Sequence, residues 1–314
     1  MAERHQIFGP VVSSSDLDWH LGLFTEVFGL ALTHEYPLDS ATLPRAWGVT
    51  GEGARVAILQ TPGSSYGVQL IQFEPQSDAT IRHRSRGLVP GAAKVIDFFV
   101  THLEPALERA REYGLTINDE IASYDSPDGP VREAHAWVRD EVVCAMIEPP
   151  PAMVNRFSSG LGRPVSEPQS ISGPTLALEE SAAYFRRILG FDVIYEYEVK
   201  DSNFGQMIGS DEPVHIRAKN IGWNLKAPYI GMIDYGLAKP GDETIDPVVP
   251  PVRGLLGVTV RVDGLQAVVR EAEKTDSVVV PLARQVGVKG PWSGTDSAVL
   301  RAPNGMLLQL VGEG

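Results

Sequence analysis

The sequence contains an internal repeat with one nearly constant spacing, and this repeat limits the folds open to the chain. The segment FTEVFGL at 24–30 is echoed 161 positions later by FRRILGF at 185–191. A second pair, LEPAL at 103–107 and LQAVV at 265–269, is separated by 162 positions. Because two separate pairs share almost the same spacing, the repeat indicates that a whole half of the chain is duplicated.

Each half in turn contains two related modules with the same order of patterns. A strand of alternating apolar residues is followed by one amphipathic helix and then by three further strands. In the first module, the apolar residues Leu17, Leu21 and Phe24 form a helical stripe. This stripe begins after Asp16, a candidate cap, and stops before Gly29. The predicted modules span 1–74, 93–148, 169–237 and 254–312, grouped into domains at 1–150 and 165–314.

Length and charge agree with a globular protein of two domains that does not bind nucleic acid. The 314 residues suffice for about two domains at ~100–200 residues each. The chain has 27 Lys and Arg against 40 Asp and Glu, and the net charge of −13 disfavours binding to phosphate backbones. No apolar run approaches the roughly 20 residues of a spanning helix, so no membrane span is expected.

Two further features favour a cytoplasmic location. Residues 1–12 lack the basic start and long apolar centre of a secretion signal. The single cysteine, Cys144, lies in the apolar run VVCAMI at 142–147, which predicts a buried small side chain and no internal disulfide. We therefore expect a cytoplasmic protein.

The order of elements and two local motifs resemble the vicinal oxygen chelate superfamily. The motifs are YFRRILGF at 184–191, which ends a helix, and PNGMLLQL at 303–310, in the last strand. This group includes glyoxalase I, bleomycin-resistance proteins, fosfomycin-resistance enzymes, methylmalonyl-CoA epimerase and extradiol dioxygenases, and the resemblance covers nearly the whole chain. It implies an α+β fold in which two modules curl eight strands into a cup with the helices outside.

Four modules imply two cups, and the residues do not decide how the modules pair. The simple expectation joins module one with two and module three with four, which matches the two predicted domains. The alternative joins one with four and two with three, and it would redistribute the residues of every pocket.

The resemblance also implies places for metal ligands, on the first and last strands of each module. Val95, Ala145, Gly231 and Gly257 occupy such places and offer no side-chain donor. Neutral glutamine is a feeble ligand compared with carboxylate or imidazole. We therefore expect no metal and no other cofactor. The alternative is a divalent metal whose ligands include His5, which holds if the alignment of the first strand is shifted by one residue. The remaining places fall near Gln6, near Ser170, at Gln69 and at Gln309.

Alternation along two strands of the second module places an acid–base group inside a cup. If Ile96, Phe98 and Val100 pack on the helix, Asp97 faces the hollow. The same argument for 132–138 turns Glu133 and His135 inward. The functional interpretation makes His135 or Asp97 a general base beside a carbonyl, with Glu133 orienting or returning the proton. The alternative is a hydrogen bond that serves only the core.

Aromatic and cationic residues of the second half predict a substrate-binding set. Strands 193–199 and 214–219 alternate aromatic with acidic and apolar with cationic residues. Inward-facing rings and cations would suit an oxygenated, anionic or phenolic ligand. A ladder on a solvated sheet face is the alternative. The predicted binding residues are Tyr195, Tyr197, His215, Arg217, Gln309 and Trp47.

These observations favour an isomerase, epimerase or lyase that uses side-chain acid–base catalysis on a hydrophobic, oxygenated small molecule. Two alternatives stay open. One is a non-catalytic protein that binds an aromatic or antibiotic-like compound, and the other is a metal-dependent lyase or extradiol-type dioxygenase. The expected partner is a small-molecule substrate, neither nucleic acid nor a membrane is expected, and a homodimer is compatible with the sequence.

Overall fold

The predicted order of strands and helices is present in the structure, a computed structural model that describes residues 5–118, 120–158, 162–226, 228–237, 243–284 and 290–313, apart from the side chains of 201 and 202. The first module contains β1 (His5–Ser13), α1 (Leu17–Gly22), β2 (Ala31–Asp39), α2 (Leu43–Trp47), β3 (Gly53–Gln60) and β4 (Gly67–Glu74). A π-helical turn, Leu23–Val27, continues α1. The second module contains β5 (Val95–Val100), α3 (Leu103–Glu112), β6 (Thr116–Ile117), β7 (Ala122–Ser126), β8 (Gly129–Trp137) and β9 (Val143–Glu148).

A short helix that the sequence did not indicate, α4 (Pro151–Phe157), lies in the connector between the halves. The third module contains β10 (Val165–Pro174), α5 (Leu178–Leu189), β11 (Asp192–Asp201), α6 (Ser202–Ile208), β12 (Val214–Gly222) and β13 (Tyr229–Asp234). The fourth contains β14 (Gly254–Val262), α7 (Leu265–Ala272), β15 (Val278–Arg284), β16 (Asp296–Arg301) and β17 (Leu307–Gly312). The predicted α+β class with repeated βαβββ modules is therefore confirmed.

Local signals in the sequence set the ends of the long helices. Asp16 accepts a hydrogen bond from the backbone N–H of Trp19 at 3.0 Å and so caps the start of α1. Gly190 ends α5 in the left-handed conformation, with φ at 65°, which costs glycine little. These are the cap and stop residues that the motif near each helix end predicts.

The strands form two curled sheets, and each sheet combines modules that are distant in sequence. The first has eight strands in the order β15-β16-β17-β14-β1-β4-β3-β2, and so joins modules one and four. The second has nine, in the order β11-β12-β13-β10-β5-β9-β8-β6, with β7 on β8, and joins modules two and three. The simple pairing of neighbouring modules is wrong, and neither sheet corresponds to one of the two predicted domains. The pairing of the modules follows from their first strands, because β1 pairs with β14 and β5 pairs with β10.

Helices α1, α3, α5 and α7 pack on the convex faces of the sheets in one shared core. Phe28, at the end of the π-helical turn of module one, stacks on Phe98 of module two with ring centroids 4.3 Å apart. Residues of all four modules belong to this core, which buries the predicted outward set Ile96, Phe98 and Val100. Consecutive modules therefore contact each other through helices, although their strands belong to different sheets.

In the described ranges, no helix combines the length and the apolar character needed to cross a membrane.

Candidate active site

The concave face of the eight-stranded sheet is filled by side chains; we call it the filled cup. The indole N–H of Trp292 donates to Gln69 Oε1 at 2.9 Å, and Gln69 Nε2 donates to Gln309 Oε1 at 2.9 Å. The Thr259 hydroxyl donates to the same Gln309 oxygen at 2.8 Å. The space left beside these residues and Trp47 is about 10 Å³, which is about the volume that one water molecule needs. Gln309 and Trp47, both predicted to bind substrate, are thus core residues of this cup, remote from the other predicted residues.

The nine-stranded sheet instead encloses a hollow, which we call the central cavity. Its free space is about 80 Å³, several times the roughly 10–15 Å³ that holds one water molecule. The cavity therefore has room for a small organic molecule. Its polar lining consists of Asp97, Ser126, Glu133, His135, Ser170, Ser172 and Asn220, and its aromatic lining of Phe99, Tyr124, Phe157, Tyr195, Tyr197, Phe204, Tyr229 and Tyr235.

Four residues on adjacent strands of the nine-stranded sheet form one row, and all but the alanine among them line the central cavity. Asp97 of β5 is paired with Ser170 on one side and with Ala145 on the other. Ala145 is in turn paired with His135 of β8. Strands lie about 4.8 Å apart, so the backbones of Asp97 and His135 are about 10 Å apart. Ala145 itself is fully buried in a small apolar cluster with Trp137, so the polar side chains of its neighbours in the row are the ones that reach the cavity.

The carboxyl group of Asp97 has a pKa close to neutral pH. The Ser170 hydroxyl donates a hydrogen bond to Asp97 Oδ2, and Ser172 also donates to this carboxyl group. Burial and the nearby Glu133 carboxylate raise the pKa of Asp97 to about 7, against the lowering effect of the two serines. A carboxyl group with this pKa can take up and release a proton near pH 7.

Glu133 and His135 form a buried pair that faces Asp97. Glu133 Oε1 and His135 Nε2 are 2.9 Å apart, and the Tyr124 hydroxyl donates to Glu133 Oε2 at 2.8 Å. Both oxygens of the carboxylate are therefore used, and this fixes the imidazole ring. The predicted inward orientation of all three residues is confirmed by the lining of the central cavity, while their catalytic role stays a prediction.

Two short helices cover the central cavity. From α4, the buried Phe157 ring packs edge-on against Tyr195 at 5.1 Å and lies 5.6 Å from the Tyr229 ring. From α6, Phe204 packs edge-on against Tyr124 at 5.6 Å. Both rings line the cavity. The role of Phe157 was missed because its proline-rich connector predicts a loop.

The predicted binding residues of the second half separate into two groups. Tyr195 and Tyr197 line the central cavity. His215 and Arg217 point away from it, with side chains 43% and 62% exposed, and contact the carboxylates of Glu198 and Asp234, respectively. The prediction that these two face the hollow is wrong. The apolar residues of β12, such as Ile216, are covered by α6 inside the cup, so the alternating cations face solvent.

Three residues near the cavity were not predicted as functional. Asn220 and Gly231 are cross-strand partners in its lining. Lys94 lies behind Tyr235, with Nζ 5.5 Å from the ring centroid, and is buried. Burial and repulsion from Arg82 lower the pKa of Lys94 to about 7. Lys94 could have been found as the polar start of an otherwise apolar strand, whereas nothing in the sequence distinguishes Asn220.

The donor set does not fit the divalent metal that the fold implies. The row described above offers one carboxylate from Asp97 and one hydroxyl from Ser170, while Ala145 offers nothing. Glu133 and His135 are engaged with each other. Within the described ranges, no three His, Cys, Asp or Glu side chains come together in a way that could hold a metal ion.

Comparisons of the fold place this architecture among known proteins. Glyoxalase I from Zea mays is similar with a TM-score of 0.61 and 16% identity over 98% of this chain and 92% of that chain. A putative dioxygenase from Bacillus subtilis subsp. subtilis str. 168 is similar with a TM-score of 0.52 and 10% identity over 98% of this chain and 86% of that chain. The chain thus has the vicinal oxygen chelate fold, as its motifs predict. No protein-family model and no curated protein matches the sequence.

Proposed function

We propose that the protein is an isomerase, epimerase or lyase that moves a proton on a small, hydrophobic, oxygenated molecule inside the central cavity. One observation carries this proposal. Asp97, whose pKa is raised to about 7, lines the central cavity together with the Glu133–His135 pair and lies in the same strand row as His135. A carboxyl group that exchanges its proton near neutral pH, beside a second acid–base pair in one space, is what proton transfer requires.

The geometry assigns a role to each group. Asp97 takes a proton from a carbon next to a carbonyl group, and the electron pair of the broken C–H bond moves onto the carbonyl oxygen as an enolate. His135, held by Glu133 at 2.9 Å, supplies a proton on the opposite side. Return to the same carbon gives an epimer, and return to a neighbouring atom gives an isomer. With a leaving group on the adjacent carbon, the enolate collapses and eliminates it.

A binding protein without catalytic activity is the second candidate. Eight aromatic rings line the central cavity, and such a wall suits the sequestration of a flat aromatic compound. A metal-dependent lyase or dioxygenase has less support, because the donor set described above does not fit a metal.

Proton transfer can be tested before the natural substrate is known. The purified protein is incubated in D₂O with a panel of small aryl and alkyl ketones and 2-hydroxy carbonyl compounds, and deuterium uptake next to the carbonyl is followed by NMR. We expect uptake with at least one member and a loss of about 10²-fold or more in Asp97→Asn. Thr259→Val, which changes the filled cup, is the matched control and should exchange at the wild-type rate.

Two outcomes would contradict catalysis. If Asp97→Asn exchanges as fast as the wild type, Asp97 is not the base. If panel members bind stoichiometrically but none exchanges in the wild type, the binding-protein candidate replaces the enzyme.

A further inference from the structure

Asn220 is a buried polar residue of the central cavity with no partner for its amide group. It is 7% exposed, and its amide makes no hydrogen bond to any part of the chain that the structure describes. The other polar groups nearby are engaged: Asp97 with two serines, and Glu133 with Tyr124 and His135. Asn220 thus presents to the central cavity an amide group that the described chain does not engage and that a ligand can use.

A second unpartnered group lies beside Asn220. Tyr195 is its direct cross-strand partner, and the Tyr195 hydroxyl is buried without a hydrogen bond within the described residues. The two neighbours thus bring an amide and a hydroxyl, both able to donate, to one part of the cavity lining.

The curvature of the sheet places Asn220 opposite the acid–base groups. The sheet closes on itself where α6 packs on β7, through the rings of Phe204 and Tyr124 at 5.6 Å. In the strand order, β12 is therefore across the hollow from β9, which carries Ala145. Tyr197 of β11 also shows that the two walls are close, because the Glu133 and Asp97 carboxylates of the opposite wall, together with burial, raise its pKa.

The floor next to Asn220 is bare backbone. Gly231 lies between Asn220 and Ser172 in the pairing of β12, β13 and β10. A Cβ atom at Gly231 would lie 2.7 Å from the Cβ of Ser172, which leaves no room for a side chain. A flat ligand can therefore lie against this part of the wall, with one edge at Asn220.

We infer that the Asn220 amide donates a hydrogen bond to the carbonyl oxygen of the substrate, and that the substrate class is uncharged aryl ketones and related carbonyl compounds. This inference rests on the proposed proton transfer, because the same oxygen gains the negative charge when Asp97 removes the neighbouring proton. Among the residues that the structure describes, no Lys or Arg belongs to the cavity lining, so an anionic ligand would find no counter-charge from them there. An amide donor aimed at that oxygen stabilises the enolate.

The test uses acetophenone labelled with ¹³C at the carbonyl carbon. Binding to the wild type should move the carbonyl resonance downfield and lower the C=O stretching frequency, as a hydrogen bond to oxygen does. Both shifts should vanish in Asn220→Leu, which keeps the bulk and removes the donor, and remain in Asp97→Asn. Where exchange occurs, Asn220→Leu should lower kcat by about 10²–10³-fold with a small change in KM.

Stability separates a ligand role from a structural one. Because the amide has no partner in the described protein, Asn220→Leu should unfold at the same temperature as the wild type or higher. A clear fall in Tm would show that Asn220 serves the fold and would overturn the inference. So would an unchanged carbonyl shift in Asn220→Leu, or no binding of acetophenone by the wild type.

The inference and the proposed function fail in different ways. If the carbonyl shift depends on Asn220 but no compound exchanges deuterium, the binding role of Asn220 stands and catalysis is refuted. If exchange depends on Asp97 but neither the shift nor the rate depends on Asn220, catalysis stands and the inference is refuted.

Discussion

Asp97 and His135 occupy one row of the nine-stranded sheet, in which each is paired with Ala145 of the strand between them. Both polar side chains line the central cavity, whereas Ala145 is fully buried and packs with Trp137 and Val143. A larger side chain at position 145 would have to displace its neighbours in this row.

We predict that Ala145→Leu abolishes deuterium exchange while the protein still folds. The larger side chain should cost about 1–3 kcal/mol in the free energy of unfolding, as overpacking does. Ala145→Gly, which adds no bulk, is the control and should still exchange. Exchange at the wild-type rate in Ala145→Leu would show that catalysis does not depend on how this row positions Asp97 and His135. NMR of both variants in D₂O makes the measurement.

Asp97 should make stability fall as pH rises from about 4 to about 7. Its folded-state pKa is raised to about 7 from 3.8, so over this range the folded protein binds the proton that the unfolded chain releases. In Asp97→Asn this contribution is absent. The stability of the variant relative to the wild type should therefore increase between pH 4 and 7 and stay level above. Urea unfolding across this range is the measurement, and a constant difference would contradict the raised pKa.

Lys94 should produce the opposite slope at higher pH. Its pKa is lowered from 10.5 to about 7, so between these values the unfolded chain binds the proton that the folded protein lacks. Stability gained through this group rises with pH from about 7 to about 10. Lys94→Met should therefore gain most over the wild type below pH 7, and the gain should shrink toward pH 10.

Lys200, with a side chain 70% exposed, provides the matched control for Lys94. Lys200→Met should differ little from the wild type at any pH in unfolding experiments. If Lys94→Met shows an equally flat difference, Lys94 is not the buried group that the structure describes.

Phe157 should control both stability and entry to the central cavity. Its ring is buried against Tyr195 and Tyr229, and Phe157→Ala should cost about 3–5 kcal/mol in the free energy of unfolding. Loss of the ring also opens the cover, so acetophenone should bind faster in stopped-flow experiments. Phe157→Leu keeps most of the bulk, so its free energy of unfolding and its association rate should lie between those of the wild type and Phe157→Ala. An unchanged association rate in Phe157→Ala would mean that ligands enter elsewhere.

The faces of the central strands could be predicted from the sequence because one side of each packs on a helix. In β5 the alternation of Phe98 and Asp97 separates the convex core from the cavity. In β12 the same rule fails, since α6 covers Ile216 on the concave side. The apolar face of that strand therefore points into the cup and the face with His215 points to solvent. Alternation separates the two faces but does not say which one is inside, so the prediction for His215 is wrong.

The pairing of modules could not be predicted because the four modules have similar first strands. The register of Val11 with Gly257, and of Asp97 with Ser170, depends on contacts between segments far apart in the chain. The positions of Gln309 and Trp47 follow from that pairing. Asn220 was missed for another reason: a lone asparagine in a strand becomes noticeable only when its surroundings show that it lacks a partner.

The nine-stranded sheet is built from the middle of the chain and the eight-stranded sheet from its two outer parts, which sets an order of assembly during synthesis. Strands β5 to β13 follow one another in the chain, so the nine-stranded sheet can close as soon as that stretch leaves the ribosome. Strands β1 to β4 are made earlier but must wait, with the backbone of β1 unpaired on one side, until β14 emerges. The nascent protein therefore carries an exposed sheet edge for most of its translation, and the filled cup is the last part to close.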